Sequence, residues 1–316
     1  MAINNRFPAV IARKGKGFEE HRSLEDKVFD TINFVVLTVV FILVAYPLYF
    51  IIISSISDPQ KVASGQVLFF PVGINLDGYR EVLKNKGVMR GFFNSIYYTA
   101  LGTTINLVVT LPTAYALSRP DFHGRKGISI FYIITMFVSG GLIPTYLVVR
   151  SLGMLNTVWA LVIPGAISVY NMMVARTFFK TNIPGEMLDA AKVDGCSDTT
   201  FFFRMVLPLS GAIIAILVLW YGVGHWNSYF SALLYISDRA KQPLQLELRM
   251  VLLQNTQGTE MMEMTEEFLA QKRRLDALRD MMKYSLIIIS SLPVLVLYPF
   301  IQRHFVKGVT VGSLKG

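Results

Sequence analysis

The sequence contains little charge and almost no cysteine. Charged residues make up 16% of the 316 residues, whereas 53% are hydrophobic, and the mean hydropathy is +0.48. The single cysteine, Cys196, excludes an internal disulfide and any metal cluster built from cysteine pairs, so no metal site is predicted. A chain this apolar is typical of proteins that reside in a membrane.

Two further absences narrow the function. The chain has no GxxxxGK[ST] pattern, which excludes ATP binding through a phosphate loop. Its six long apolar stretches contain no Asp, Glu, Lys or Arg, and only His225 could titrate within them. Carriers coupled to protons or sodium usually place ionisable or ion-coordinating groups in the membrane. The sequence therefore disfavours a secondary carrier, and the lack of a His/Asp/Glu cluster disfavours a membrane enzyme.

The apolar stretches predict the fold class. Each has about the length of a helix that crosses the hydrocarbon core, for which ~20 residues suffice. Only helices or closed barrels satisfy their backbone groups in lipid, and runs this continuously apolar favour helices. The prediction is an all-α membrane protein with six transmembrane helices. The stretches are residues 31–53, 92–118, 128–149, 155–175, 209–236 and 284–302.

The polar segments define the remaining organisation. Residues 1–30 are too long and too polar for a cleaved signal peptide, and they are predicted to be a cytoplasmic segment with an interfacial helix that begins near Ser23 and Asp26. The first transmembrane helix, 31–53, precedes a permease core at 92–302. A cytoplasmic tail at 303–316 completes the prediction.

A polar island at residues 186–208, EMLDAAKVDGCSDTTFFFRMVLP, separates two apolar stretches. It predicts two short helices, the first capped by Thr181 or Asn182 and ended by Gly195, and the second capped by Ser197. Met187, Ala190 and Ala191 are predicted to share one face of the first helix. The simplest alternative is an ordinary amphipathic loop helix.

The spacing of the island resembles the cytoplasmic "EAA…G…I-x-LP" loop of ABC-importer permeases, which docks onto the ATPase subunit. Asp189 stands where that motif usually has Glu, and Met205 where it has Ile. The resemblance implies an ATPase-coupling loop within residues 182–208. Its candidate residues are Glu186, Met187, Asp189, Ala190, Ala191, Asp194, Gly195, Leu207 and Pro208.

Other segments are similar to carbohydrate-importer permeases, in particular to the subfamily for oligosaccharides or polysaccharide fragments. These segments include AYALSR at 114–119, GHWNSYF at 224–230, QPLQLELR at 242–249 and the tail GVTVGSLKG. The resemblance covers about residues 24–316. It implies a type I importer with a second homologous permease, two ATPase subunits that hold ATP and Mg, and an extracytoplasmic sugar-binding protein. The chain itself would be neither an enzyme nor a cofactor carrier. The alternative to carbohydrate import is a permease of the same fold that imports an amino acid or a phosphonate.

The resemblance also implies the bacterial plasma membrane, with the docking loop and both termini in the cytoplasm. Lys and Arg are nearly balanced between the two predicted sides, so the positive-inside rule supports this orientation mainly through the short loops. Loop 119–127 carries three basic residues, whereas loop 150–154 carries only Arg150. The weak charge asymmetry gives nucleic-acid binding no support.

The substrate path is predicted at the end of the fifth stretch, at His225, Trp226, Asn227 and Tyr229. Aromatic faces stack on sugar C–H faces, and amides bond sugar hydroxyls. Interfacial Trp and Tyr anchors are the alternative interpretation. Asn94, Asn106 and Asn171 are interpreted as inter-helix hydrogen-bonding residues.

The long extracytoplasmic loop at 237–283 predicts a short buried helix around Leu244–Leu252 and an amphipathic helix at 260–283. The run Lys272-Arg273-Arg274 is interpreted as a solvated face, with recognition of an acidic sugar as the alternative. Family resemblance implies that this loop and residues 54–91 meet the binding protein.

Overall fold

The computed structural model describes residues 24–253, 280, 282–297 and 299, and every regular element among them is a helix. The all-helical fold class is therefore confirmed for this part of the chain. The N-terminal segment before Leu24, most of the helix predicted at 260–283, the basic run at 272–274 and the tail at 303–316 lie outside the described residues.

Fifteen α-helices occupy the described part of the chain, together with a π-helical turn at Phe202–Val206 and a 3₁₀ turn at Arg239–Lys241. In chain order they are α1 (Leu24–Ser55), α2 (Pro59–Ala63), α3 (Asp77–Lys84), α4 (Lys86–Ser118), α5 (Arg125–Phe137), α6 (Leu142–Ser151), α7 (Trp159–Val162), α8 (Val169–Asn182), α9 (Gly185–Val193), α10 (Asp198–Phe201), α11 (Leu207–Leu209), α12 (Gly211–Trp226), α13 (Phe230–Tyr235), α14 (Leu244–Leu253) and α15 (Met282–Leu297).

The described residues fall into two compact units, one ending at Tyr49 and the other beginning at Phe50. The first unit consists of most of α1, whose apolar side chains are almost all exposed, as expected of a helix surrounded by lipid. Glu25 and Asp26 in its first turn are placed favourably for the helix dipole. This helix contains the first predicted span.

Two helices, α1 and α4, are long and apolar enough to cross a membrane by length and composition. Two further pairs qualify only as bent spans: α5 with α6, bent by 114°, and α10–α11 with α12, bent by 80°. The described residues thus give between two and four candidate spans by this measure, and α15 is a shorter apolar helix. The count of six spans stays a prediction.

The third, fourth and fifth predicted stretches, 128–149, 155–175 and 209–236, are each interrupted, so their interpretation as continuous helices was wrong. The break in the fourth stretch is the most informative. Helix α7 ends at Val162 and α8 begins only at Val169. Pro164 removes a backbone donor and Gly165 disfavours a helix, which explains the break. Asn106 of α4 satisfies two of the freed carbonyls, since its Nδ2 donates to Gly165 O at 2.6 Å and Ala166 O at 2.9 Å. A broken helix at membrane depth needs such a neighbour.

The main core of the second unit lies where α4, α8 and α12 pack together and the polar island covers one end. Buried apolar side chains come from each helix and from the island itself. They include Leu111, Ala114 and Leu117 of α4, Met172, Ala175 and Phe179 of α8, Ile213 and Leu217 of α12, and Leu188, Ala191 and Phe201 of the island.

Helices α4 and α12 are in close contact at Gly102, and this contact supports a stability prediction. A Cβ at Gly102 would lie 2.5 Å from His225 Nε2, and that ring is held by a 2.7 Å hydrogen bond to Asn106 Oδ1. We expect Gly102→Ala to displace the imidazole and to destabilise the protein by about 1–3 kcal/mol, as overpacking does.

The measurement is the thermal unfolding midpoint of the purified protein in detergent. Gly224→Ala is the matched control, because Gly224 is in α12 beside His225 and has no atom within 4 Å of the point where an alanine methyl group would lie. Equal midpoints for Gly102→Ala and Gly224→Ala would contradict the prediction.

Candidate functional site

Residues 182–208, which contain the polar island and are called the coupling segment after their predicted role, begin differently from the sequence prediction. Helix α9 follows Pro184 and has no side-chain cap. Asn182 and Thr181 belong to the last turn of α8, where both side chains donate to Phe178 O, at 3.0 Å and 3.1 Å. The predicted cap by either residue was wrong because α8 extends further than its apolar pattern indicates.

The end of α9 and the start of α10 follow the prediction. Gly195 has φ +75°, in the left-handed region that favours glycine, and the helix ends there. Ser197 Oγ then accepts a hydrogen bond from Thr200 N at 3.2 Å and caps α10. The helix break and the second cap are confirmed.

The structure divides α9 into an inner and an outer face. Leu188 and Ala191 are 2% and 4% exposed and pack into the main core. Ala190 is exposed, so Met187, Ala190 and Ala191, which lie on one side of the helix by their spacing, do not share one environment. Met187 is half-buried against the core. The outer face also presents Glu186, Asp189, Asp194 and Val193, whose side chain is 88% exposed.

The far end of the coupling segment leads into α12 through an 80° bend at Ser210. The π-helical turn at Phe202–Val206 is followed by Leu207 and Pro208 in α11, and α12 begins at Gly211. Phe202 and Val206 are buried in the core, Leu207 is half-buried and Pro208 is exposed. The segment therefore presents polar and apolar groups outward while it stays packed to α4, α8 and α12.

A small ionic network attaches the coupling segment to the loop after α4. The Arg119 guanidinium binds the Asp121 carboxylate at 2.9 Å and 2.7 Å. Lys192 Nζ lies 3.6 Å from Asp121 Oδ2 and 3.9 Å from Asp198 Oδ1. The hydrogen bond from Arg119 lowers the pKa of Asp121 to about 2, so this carboxylate is ionised at neutral pH. The basic loop 119–127 thus lies at the same end of the bundle as the coupling segment.

The loops at the opposite end of α4 form a second polar contact. Asn94 Nδ2 donates to Ala240 O and Gln242 O, and Asn94 is about 36 Å along the helix from Ser118. Asn156 Oδ1 accepts from the backbone N–H of Ser237 and of Asp238, while Lys241 Nζ donates to Asn156 O. Loops 152–158 and 236–243 are therefore joined at the end away from the coupling segment.

The four residues of the predicted substrate path do not share one environment. His225 bonds Asn106, and Trp226 is 4% exposed, with Nε1 donating to Ser290 O at 2.9 Å and its ring edge-on to Phe92. Asn227 is exposed, and Tyr229 is 43% exposed. The first two residues are engaged in helix packing, whereas the last two are accessible.

Asn106 forms the predicted inter-helix hydrogen bond, with His225 of α12, whereas Asn94 bonds the backbone of loop 236–243. Asn171 is buried in the first turn of α8, where its backbone N–H donates to Ser168 Oγ. Among the described residues, no group of three or more His, Cys, Asp and Glu side chains could hold a metal ion.

Sequence reasoning missed a cavity of about 360 Å³ beside Trp226. Its polar lining combines Asn227 with Gln245 of α14 and Ser290 and Ser291 of α15. Arg249, one turn after Gln245 on α14, has its guanidinium carbon 5.5 Å from the centre of the Tyr229 ring. The polar residues at i, i+4 in QPLQLELR were the available sequence signal.

Comparison with known proteins gives consistent relatives along nearly the whole chain, although no protein-family model matches it. The chain is 36% identical over 295 residues to the polygalacturonan/rhamnogalacturonan transport system permease protein YtcP of Bacillus subtilis, covering 93% of this chain and 100% of the relative. It is 38% identical over 296 residues to the protein LplC of the same organism, covering 94% and 98%.

A solved structure agrees in fold as well as in sequence. The crystal structure of a bacterial ABC transporter involved in the import of the acidic polysaccharide alginate contains a chain with a TM-score of 0.81 and 29% identity. The match covers 90% of the present chain and 98% of that chain.

Proposed function

Since the chain belongs to the family of carbohydrate ABC transport permeases, we propose that it forms one half of the membrane pathway of an importer for oligosaccharides or polysaccharide fragments. The observation that carries this proposal is the coupling segment. Its helix α9 is anchored in the bundle core by Leu188 and Ala191, and its outer face exposes both polar and apolar side chains. A carbohydrate-importer relative matched over its full length supports the class of cargo.

The proposed assembly contains this chain, a second homologous permease, two ATPase subunits that hold ATP and Mg, and an extracytoplasmic sugar-binding protein. The chain crosses the plasma membrane of a bacterium six times, with both termini in the cytoplasm, and hydrolyses no ATP itself. The basic loop 119–127 at the coupling end is consistent with a cytoplasmic location of that end.

The coupling segment is proposed to transmit the motion of the ATPase to the membrane helices. Two side chains of its inner face, Leu188 and Ala191, belong to the core that α4, α8 and α12 build, so a force on the outer face of α9 acts on that core. The ionic contact between Lys192 and Asp121 adds a second attachment, on the loop after α4. Close-packed helices move together rather than deform, which makes α9 suitable as a lever.

The path for the sugar is proposed to pass Asn227 and Tyr229. His225 and Trp226 are proposed to fix the helix packing behind these two residues. The accessible amide and ring can bond hydroxyls and stack on a C–H face. The indole N–H of Trp226 is already used by Ser290 O.

Uptake by the complete importer in proteoliposomes tests the proposed function. We expect ATP-dependent accumulation of oligosaccharides presented by the binding protein, and no accumulation of amino acids or phosphonates offered in the same way. An importer that accumulated only amino acids or phosphonates would contradict the sugar assignment while leaving the permease fold intact.

A further inference from the structure

The cavity beside Trp226 has the size and chemistry of a ligand site. Its volume of about 360 Å³ falls within the range of roughly 300–1,000 Å³ typical of small-molecule pockets. Residues from the C-terminal end of α12, from α14 and from α15 line it, and it is open to the surface. The lining contains no charged side chain, and Trp226 forms a rigid wall because its indole N–H is bonded to Ser290 O.

The polar groups that line this cavity have unused hydrogen-bonding capacity. Among the described residues, the side-chain amides of Asn227 and Gln245 have no hydrogen-bond partner. Ser290 and Ser291 both donate to Ile287 O, at 2.9 Å and 2.8 Å, so their hydroxyl oxygens can still accept. Two amides and two accepting hydroxyls suit a ligand with several hydroxyl groups, because each hydroxyl donates and accepts.

A positive charge lies on the same side of α14 as Gln245, which lines the cavity. Arg249 follows Gln245 by four residues, so both occupy one side of α14. Its guanidinium lies over the Tyr229 ring, and in the part of the chain that the structure describes it has no acidic partner. The nearby carboxylate of α14, Glu247, lies 3.7 Å from Arg239 Nε instead. A stacked guanidinium keeps its edge N–H groups available for a carboxylate.

We propose that this cavity is a carbohydrate subsite for an acidic sugar unit. Asn227, Gln245, Ser290 and Ser291 bond the hydroxyls, and Arg249, held by the Tyr229 ring, binds the carboxylate. This inference rests on the proposed function and adds to it the charge of the cargo and the contribution of this permease to the path. The alternative is that the Arg249 guanidinium only packs α14 against α13, and the experiment must distinguish this structural role from ligand binding.

The test compares two substrates of equal length in proteoliposomes containing the complete importer: trigalacturonate and its methyl ester, in which the carboxylate charges are removed. Arg249→Gln is expected to lower the uptake of trigalacturonate about tenfold or more, since it removes a charge-assisted bidentate contact, and to change the uptake of the ester less than about twofold. Arg249→Lys should recover part of the loss. Arg150→Gln, at an exposed arginine in the last turn of α6, is the matched control.

A second readout uses the assembled permease and ATPase subunits without the binding protein. Trigalacturonate should raise the thermal midpoint of the wild-type assembly, and Arg249→Gln or Gln245→Ala should remove that shift. An equal loss of uptake for both substrates, or no loss, would overturn the proposal, and so would an unchanged midpoint in the wild type. Wild-type uptake of neutral oligosaccharides alone would overturn this inference but support the proposed function, whereas uptake of no sugar would overturn both.

Discussion

Val193→Asp is expected to leave the protein inserted in the membrane and to reduce sugar uptake about 100-fold, the range in which loss of a central interface residue falls. Val193 is the most exposed large apolar residue of the coupling segment, with 88% of its surface open. An apolar side chain that is exposed in the isolated chain is explained if the ATPase buries it in the complex. A carboxylate there would remain unpaired in the interface, which costs far more than the lost packing.

The measurement combines uptake in cells with the amount of ATPase that copurifies with the permease. Val193→Leu should retain both, and Gln60→Asp, at an exposed position in α2, should change neither. Ala191→Glu provides the contrasting case: Ala191 faces the core, so a buried charge should lower the amount of folded protein in the membrane. Normal uptake by correctly inserted Val193→Asp protein would contradict the proposed docking role of α9.

The purified chain alone is expected to hydrolyse no ATP and to accumulate no sugar, even with a proton gradient across the liposome. It has no phosphate-loop pattern, and its six apolar stretches contain no Asp, Glu, Lys or Arg that could bind a coupling ion. Addition of the partner permease, the ATPase subunits and the binding protein should restore both activities together. Both ATP hydrolysis and sugar uptake are therefore expected to rise from background in the isolated chain to full activity in the complete assembly.

Hydrolysis and uptake are measured on the same preparations. The control is an assembly whose ATPase carries a substitution in its own phosphate-loop lysine: it should assemble and bind the sugar-loaded partner yet transport nothing. ATP hydrolysis by the isolated chain, or gradient-driven uptake in liposomes, would contradict the assignment of the energy source to a separate subunit.

Local signals in the sequence predicted those features that depend on only a few neighbouring residues. Gly195 ends α9 because the left-handed φ there suits a residue without Cβ, and Ser197 caps α10 through its own hydroxyl. The break between α7 and α8 also had a local signal, Pro164-Gly165, but the apolar content of residues 155–175 masked it. Hydropathy reports burial in lipid and does not distinguish a continuous helix from an interrupted one.

The sequence by itself predicted the helical membrane fold, which the described residues confirm as helical, and the position of the polar island, because composition and motif spacing are properties of the chain alone. Tertiary structure decided which residues face outward and which meet. Ala190 and Ala191 are alike in chemistry, and only the packing of α9 against the main core turns one of them inward. The contacts of His225 with Asn106 and of Trp226 with Ser290 join residues 119 and 64 positions apart. Such pairings depend on how helices pack, and no periodicity within one helix encodes them.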